Sequence, residues 1–122
     1  MCGIVGLYLK TKSLEPQLGA MLAQMLGVMN DRGPDSAGFA VYGSADDGQV
    51  KMTLRSDGSA PIEGLAAELS KALGKSLPSS KRGSHLVLTV PNDDAAKVRD
   101  WLSANRPGIR VVGSGHRMEL YK

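Results

Sequence analysis

Three places along the chain hold residue types with chemistry in them. The first is Cys2, the only cysteine, in the opening stretch MCGIVG. Loss of Met1 would make it the amino terminus, with a thiol and a free α-amine on one residue. A thiol attacks acyl carbon as thiolate, and an isolated cysteine titrates about 1.5 units above neutral. An α-amine titrates near ~8, so it can take the thiol proton and later pass it to a departing nitrogen. The second place is DRGPDSAG at 31–38, where Gly33 and Pro34 fix a tight turn between Arg32 and Asp35. The third is GSGHRM at 113–118. A Gly-x-Gly that precedes a strand instead of opening a helix is a poor phosphate loop, and His116 beside Arg117 reads as a surface pair. Each also has a plain structural reading. Cys2 would be a small apolar residue at a strand start, and the turn a connection between a helix and a strand.

The elements that must position these residues follow from hydrophobic periodicity. The run GIVGLYL at 3–9 predicts a buried strand. Leu14, Leu18, Met21, Leu22, Met25, Leu26 and Met29 form one helical stripe. Ser13 is the expected N-cap, Pro16 is tolerated in the first turn, and the Met-rich stripe is expected to pack into a core. Turn chemistry at 30–34 leads to a strand at 37–42, and a polar hairpin leads to another at 50–55. A helix is expected at about 62–73, with Ile62, Leu65, Ala66, Leu69, Ala72 and Leu73 as its stripe, ended by Gly74. HLVLTV at 85–90 is a strand, Pro91-Asn92 opens a helix carrying Ala95, Val98, Trp101 and Leu102, and Pro107-Gly108 breaks it. IRVVG and MELYK are two closing strands. The pattern β-α-β-β-α-β-α-β-β is that of an α+β, or layered α/β, chain.

Composition narrows the function classes. At 122 residues, with 42% hydrophobic and 22% charged residues, the chain suits one soluble domain with a core of Leu, Val, Met, Ile and Ala. The net charge of +3 is mild and its basic residues are scattered. The densest basic spot, SKRG at 80–83, reads as a solvated loop, so no nucleic-acid partner is expected. A single cysteine rules out an internal disulfide framework and a multi-cysteine zinc site. No metal and no cofactor are expected. No stretch approaches the ~20 apolar residues of a membrane span, so no membrane partner is expected and the cytosol is the default compartment.

CGIVG at the N-terminus and RGPDSAG some thirty residues later together resemble the class II glutamine amidotransferases, of the N-terminal-nucleophile (Ntn) hydrolase superfamily. MCGIVGLYLK, EPQLGAMLAQML and DRGPDSAGFAVYG are most similar to the glutamate-synthase-like subunits, including the amidotransferase subunit of N-methylglutamate synthase. The resemblance implies the N-terminal part of an Ntn-hydrolase αββα sandwich, with 1–56 its first strands and helix. Residues 57–122 would be an added α-β-α-β lobe of the same domain. It further implies that Cys2 attacks the glutamine side-chain amide, releases ammonia to a synthase subunit or domain, and leaves a glutamyl thioester for water. Arg32 and Gly33 match the supporting turn beside the nucleophile, and Asp35, Ser36 and Gly38 lead into the next strand. The family's Gly-His-Thr-Arg-Met-Ala-Thr stretch, which holds the substrate carboxylate, and its oxyanion Asn-Gly pair have no counterpart here. GHRM at 115–118 lacks the Thr and is a chance lookalike, since a one-residue deletion in a strand turns later side chains to the opposite face. Substrate-binding residues are therefore unassigned. The chain is expected to be an N-terminal fragment, weakly active or inactive alone. The alternative is a non-catalytic binding or assembly module built on the lobe, with Cys2 inert.

Overall fold

The computed structural model of the chain describes residues 3–32, 37–43 and 47–121. Contacts divide it into two compact units, Met1–Ala37 and Gly38–Lys122.

In the first unit a 3₁₀ helix, Lys12–Gln17, runs into the α-helix α1, Leu18–Met29, and a 3₁₀ turn, Asn30–Arg32, closes it. The expected cap at Ser13 is not formed: Ser13 lies inside the 3₁₀ segment and α-geometry begins only at Leu18. Pro16 explains the delay. It lacks an N–H to donate, and its ring disfavours α-geometry at Glu15. The predicted stripe is correct in phase, with Leu18, Met21, Leu22, Met25, Leu26 and Met29 all half-buried. Its expected core packing is not reached, because no residue of α1 is buried. The strand predicted at 3–9 is absent. Val5, Leu7 and Leu9 are half-buried there, while Ile4 and Tyr8 are 94% and 85% exposed. Apolar, β-branched composition suits a strand, but only a hydrogen-bonded neighbour makes one.

The second unit contains β1 (Phe39–Tyr42), β2 (Gln49–Ser56), α2 (Leu65–Leu73), β3 (Ser79–Arg82), β4 (His85–Pro91), α3 (Ala95–Asn105), β5 (Ile109–Gly115) and β6 (Met118–Tyr121). Strands β3-β4-β2-β5 form one antiparallel sheet, and β1 pairs with β6 in a separate two-stranded ribbon. Within the larger sheet the order β-α-β-β-α-β is a split βαβ arrangement, and the chain is α+β. The segment 57–122 supplies three strands of that sheet, while one of its two inner strands, β2, comes from before residue 57.

Alternation along β2 and β4 decides what each face of the sheet meets. Val50, Met52 and Leu54, with Leu86, Leu88 and Val90, enter a core with Leu65 and Leu69 of α2 and Val98 and Leu102 of α3. The helix predicted at 62–73 starts three residues later than expected, because Gly64 takes a left-handed conformation (φ 76°) ahead of Leu65. Gly74 (φ 64°) ends it as anticipated. Likewise a 3₁₀ turn, Asn92–Asp94, precedes α3. The two helices are tied at both ends. Lys75 and Lys97 bond the two oxygens of buried Asp94, and Arg106 bonds both oxygens of Glu68 at 2.7 and 2.8 Å.

SSKR at 79–82, part of the stretch read as a solvated loop, is strand β3. It is polar because it is an exposed edge strand, and it exists because Gly83 (φ 57°) turns the chain into a hairpin with β4. On the opposite face of the sheet lie Lys51, Thr53 and Arg55 of β2 and His85, Val87 and Thr89 of β4. The β1–β6 ribbon packs against part of this face. Tyr121 meets His85 edge-on with ring centres 5.4 Å apart, and Phe39 stacks on Tyr121 at 4.9 Å. Thr53, His85, Val87 and Tyr121 are buried there. The close approach depends on Gly113, where a Cβ would lie 2.7 Å from Cβ of Leu120. A register shift of β5 opposite Thr53 and Leu54 marks a bulge next to it.

Candidate functional site

Of the predicted site residues, Cys2 and Gly33 lie outside the described residues, as do Asp35 and Ser36. Arg32 is described. It is the last residue of the 3₁₀ turn that continues α1, and it is exposed. The turn brings it beside Gly3, the neighbour of Cys2 in sequence. A Cβ built on Gly3 would lie 3.8 Å from Cβ of Arg32 and would collide with the terminal methyl of Met29. The apolar stripe of α1 thus ends, at Met29, against Gly3. A small residue at position 3 is what allows this approach, since a larger one requires the flexible Met29 side chain to move.

GHRM at 115–118 occupies the end of β5, the connection to β6 and its first residue. His116 is exposed, its Nδ1 2.9 Å from the carbonyl oxygen of Gln49, and the carbonyl of Arg117 accepts from the N–H of Gly43. These contacts hold the ribbon to its neighbours. No group of three or more His, Cys, Asp or Glu with metal-binding geometry occurs among the described residues, and no described helix is long and apolar enough to cross a membrane.

One polar cluster was not anticipated from sequence. Lys51 donates to Oε1 of Glu119 at 2.9 Å, and the Tyr121 hydroxyl donates to Oε2 at 2.6 Å. The Tyr121 hydrogen bond and then Lys51 hold Glu119 below the ordinary carboxylate range. Burial, followed by the bond to Glu119, pushes Tyr121 up to about 12. The signal was present in β2, where Lys51, Thr53 and Arg55 alternate with Val50, Met52 and Leu54. It marks a second face that is not simply solvated. Nothing local indicates that a residue 68 positions away completes it.

The whole chain aligns with the glutamine amidotransferase-like protein GlxB of Rhizobium meliloti, 46% identical over 125 residues, which is 100% of this chain and 40% of that protein. A shorter match, 51% identical over 43 residues, covers 35% of this chain and 14% of a Methanothermobacter thermautotrophicus protein named "Putative glutamine amidotransferase". The chain therefore spans about two fifths of the length of the first relative. No family model matches, and no solved structure matches. These similarities support a relation to the glutamine amidotransferases.

Proposed function

We propose that the chain carries the nucleophile of a class II glutamine amidotransferase and contributes the N-terminal part of an Ntn-hydrolase sandwich. The observation that carries this reading is the 46% identity, over the whole of this chain and 40% of the relative, to a glutamine amidotransferase-like protein in a sequence whose second residue is its only cysteine. The approach of Arg32 to Gly3 supports it further. With Met1 removed, the α-amine of Cys2 takes the thiol proton and the thiolate attacks the side-chain carbonyl of glutamine. Collapse of the tetrahedral adduct breaks the C–N bond, and the ammonium returns its proton so that ammonia leaves. Water then cleaves the thioester to glutamate and restores the thiol. Ammonia passes to a synthase subunit or domain, and Arg32 and Gly33 position the nucleophile.

The test reads the nucleophile directly, because turnover needs substrate-holding and oxyanion groups that this sequence does not supply. Protein trimmed to Cys2 is treated with a chloroketone analogue of glutamine and weighed intact, beside a version extended ahead of Cys2. The trimmed protein is expected to gain a single adduct on Cys2 and the extended one to react far more slowly. Equal rates, or no adduct, would remove the amine-activated thiol. The second reading, a binding module with an inert Cys2, is favoured by a polar pocket in the second unit, lined by Lys51 of β2 together with residues of the lobe.

A further inference from the structure

The β1–β6 ribbon leaves part of the sheet's second face open toward edge strand β3. There lies a pocket of about 180 Å³, lined by Lys51, Ser79, Ser80, Arg82, Thr89 and Glu119, with Val87 and Pro78 as its apolar surface. Its geometry follows from register. Lys51 is paired with Thr89, Ser80 with Val87, and Arg82 with His85, so these side chains project from one face, whereas Ser79, paired with the core residue Leu88, borders the pocket from the other. Glu119 reaches in from β6.

The balance of donors and acceptors in this pocket is lopsided. Glu119 is the only acidic residue in its lining, and both its oxygens are taken, by Lys51 and by Tyr121. Lys51 has three donor hydrogens and spends one there, while Arg82 has five and directs one toward the Tyr121 hydroxyl. Hydroxyls of Ser80 and Thr89 add more. Two cations against one carboxylate leave a surplus of one positive charge. A ligand that completes this set carries acceptors only and a negative charge. The volume lies below the ~300–1,000 Å³ usual for drug-sized ligands, so the ligand has few heavy atoms. We propose that this pocket binds a small oxyanion-bearing metabolite, its carboxylate or phosphate held between Lys51 and Arg82 and by the hydroxyls of Ser80 and Thr89. The site is independent of Cys2, and its failure leaves the glutaminase reading untouched.

The experiment is an amide NMR titration of the 122-residue chain with inorganic phosphate and, separately, with succinate, against sodium chloride at matched ionic strength. Saturable shifts confined to residues 79–82, 87–89, 51 and 119 are expected with at least one probe. A response to phosphate alone or to succinate alone identifies the source of the oxyanion, and a response to both defines a general oxyanion pocket. Arg82→Gln, at an exposed position, is expected to weaken binding about tenfold, the loss of one charge-assisted hydrogen bond. Glu119→Gln is expected to tighten it. Arg82→Lys restores part of the affinity. Shifts that fail to saturate, that chloride reproduces, or that survive Arg82→Gln unchanged overturn the proposal.

Discussion

Arg32 stands at the end of a helix whose continuation sets it beside the residue after Cys2, 3.8 Å from the place where a side chain on Gly3 would begin. A guanidinium near a thiol favours thiolate, and an exposed guanidinium with no such neighbour contributes little. In the protein trimmed to Cys2, Arg32→Ala is therefore expected to slow alkylation of the cysteine and to move the rate–pH profile to higher pH, with the fold intact. Superimposable profiles would reduce the turn to a structural role. Thr53 raises a different question at the same scale. It is fully buried between β4 and β5, and its Oγ1 has no hydrogen-bond partner among the described residues. A buried hydroxyl without a partner costs on the order of 1–3 kcal/mol. Thr53→Val, which keeps the branch and removes the hydroxyl, is expected to stabilise the protein by about 1 kcal/mol in urea denaturation. A loss of stability instead would mean that the hydroxyl is satisfied.

Between elements, the antiparallel pairing of α2 and α3 rests on their apolar faces and on the ion pairs at their ends. The side chains of the Glu68–Arg106 pair are 41% and 38% exposed, so water screens it and it contributes less. Asp94 differs. Its side chain is 2% exposed, it stands at the start of α3, and it accepts from Lys75, which follows the end of α2, and from Lys97. The Lys75 hydrogen bond first, then that of Lys97, hold its carboxyl below the ordinary value of 3.8. A depressed folded-state pKa means that the unfolded chain binds the proton more readily. The resulting stability is present above the unfolded value, near ~4, and is lost as pH falls through the lower folded one. Asp94→Asn is accordingly expected to be less stable than the native protein at neutral pH. The gap should close as pH drops below the usual carboxylate range. Urea midpoints measured from pH 7 to pH 2 for both proteins check this, and a gap that is constant with pH would assign the cost to packing.

For the whole molecule, what matters is where burial is concentrated. Every buried hydrophobic residue among those described belongs to the second unit, whereas α1 buries none. Leu69 of α2 is 0% exposed within the core shared by both helices and the sheet. Leu69→Ala is expected to cost about 2–5 kcal/mol, the range for emptying a packed leucine site. Met25→Ala, on the half-buried stripe of α1, is expected to cost under about 1.5 kcal/mol, because water already reaches the site. Calorimetry on both variants separates them: a large drop in Tm for Leu69→Ala and a small one for Met25→Ala. Similar drops would mean that the stripe of α1 is packed as tightly as the core.

Periodicity that repeats within a dozen residues was legible without the structure. The phase of the α1 stripe, the alternation in β2 and HLVLTV, and the stops at Gly74 and Pro107-Gly108 all came from local preferences, which act between neighbours in the chain. The rest was set over long range. Residues 3–9 have the composition of a strand but no ladder, while polar SSKR is a strand because β4 lies beside it. Lys51 meets Glu119, and β2 becomes an inner strand of the sheet, only because separate segments converge. Backbone hydrogen bonds between strands and ion pairs between elements need partners that no window of sequence contains, so the folded chain alone chooses them.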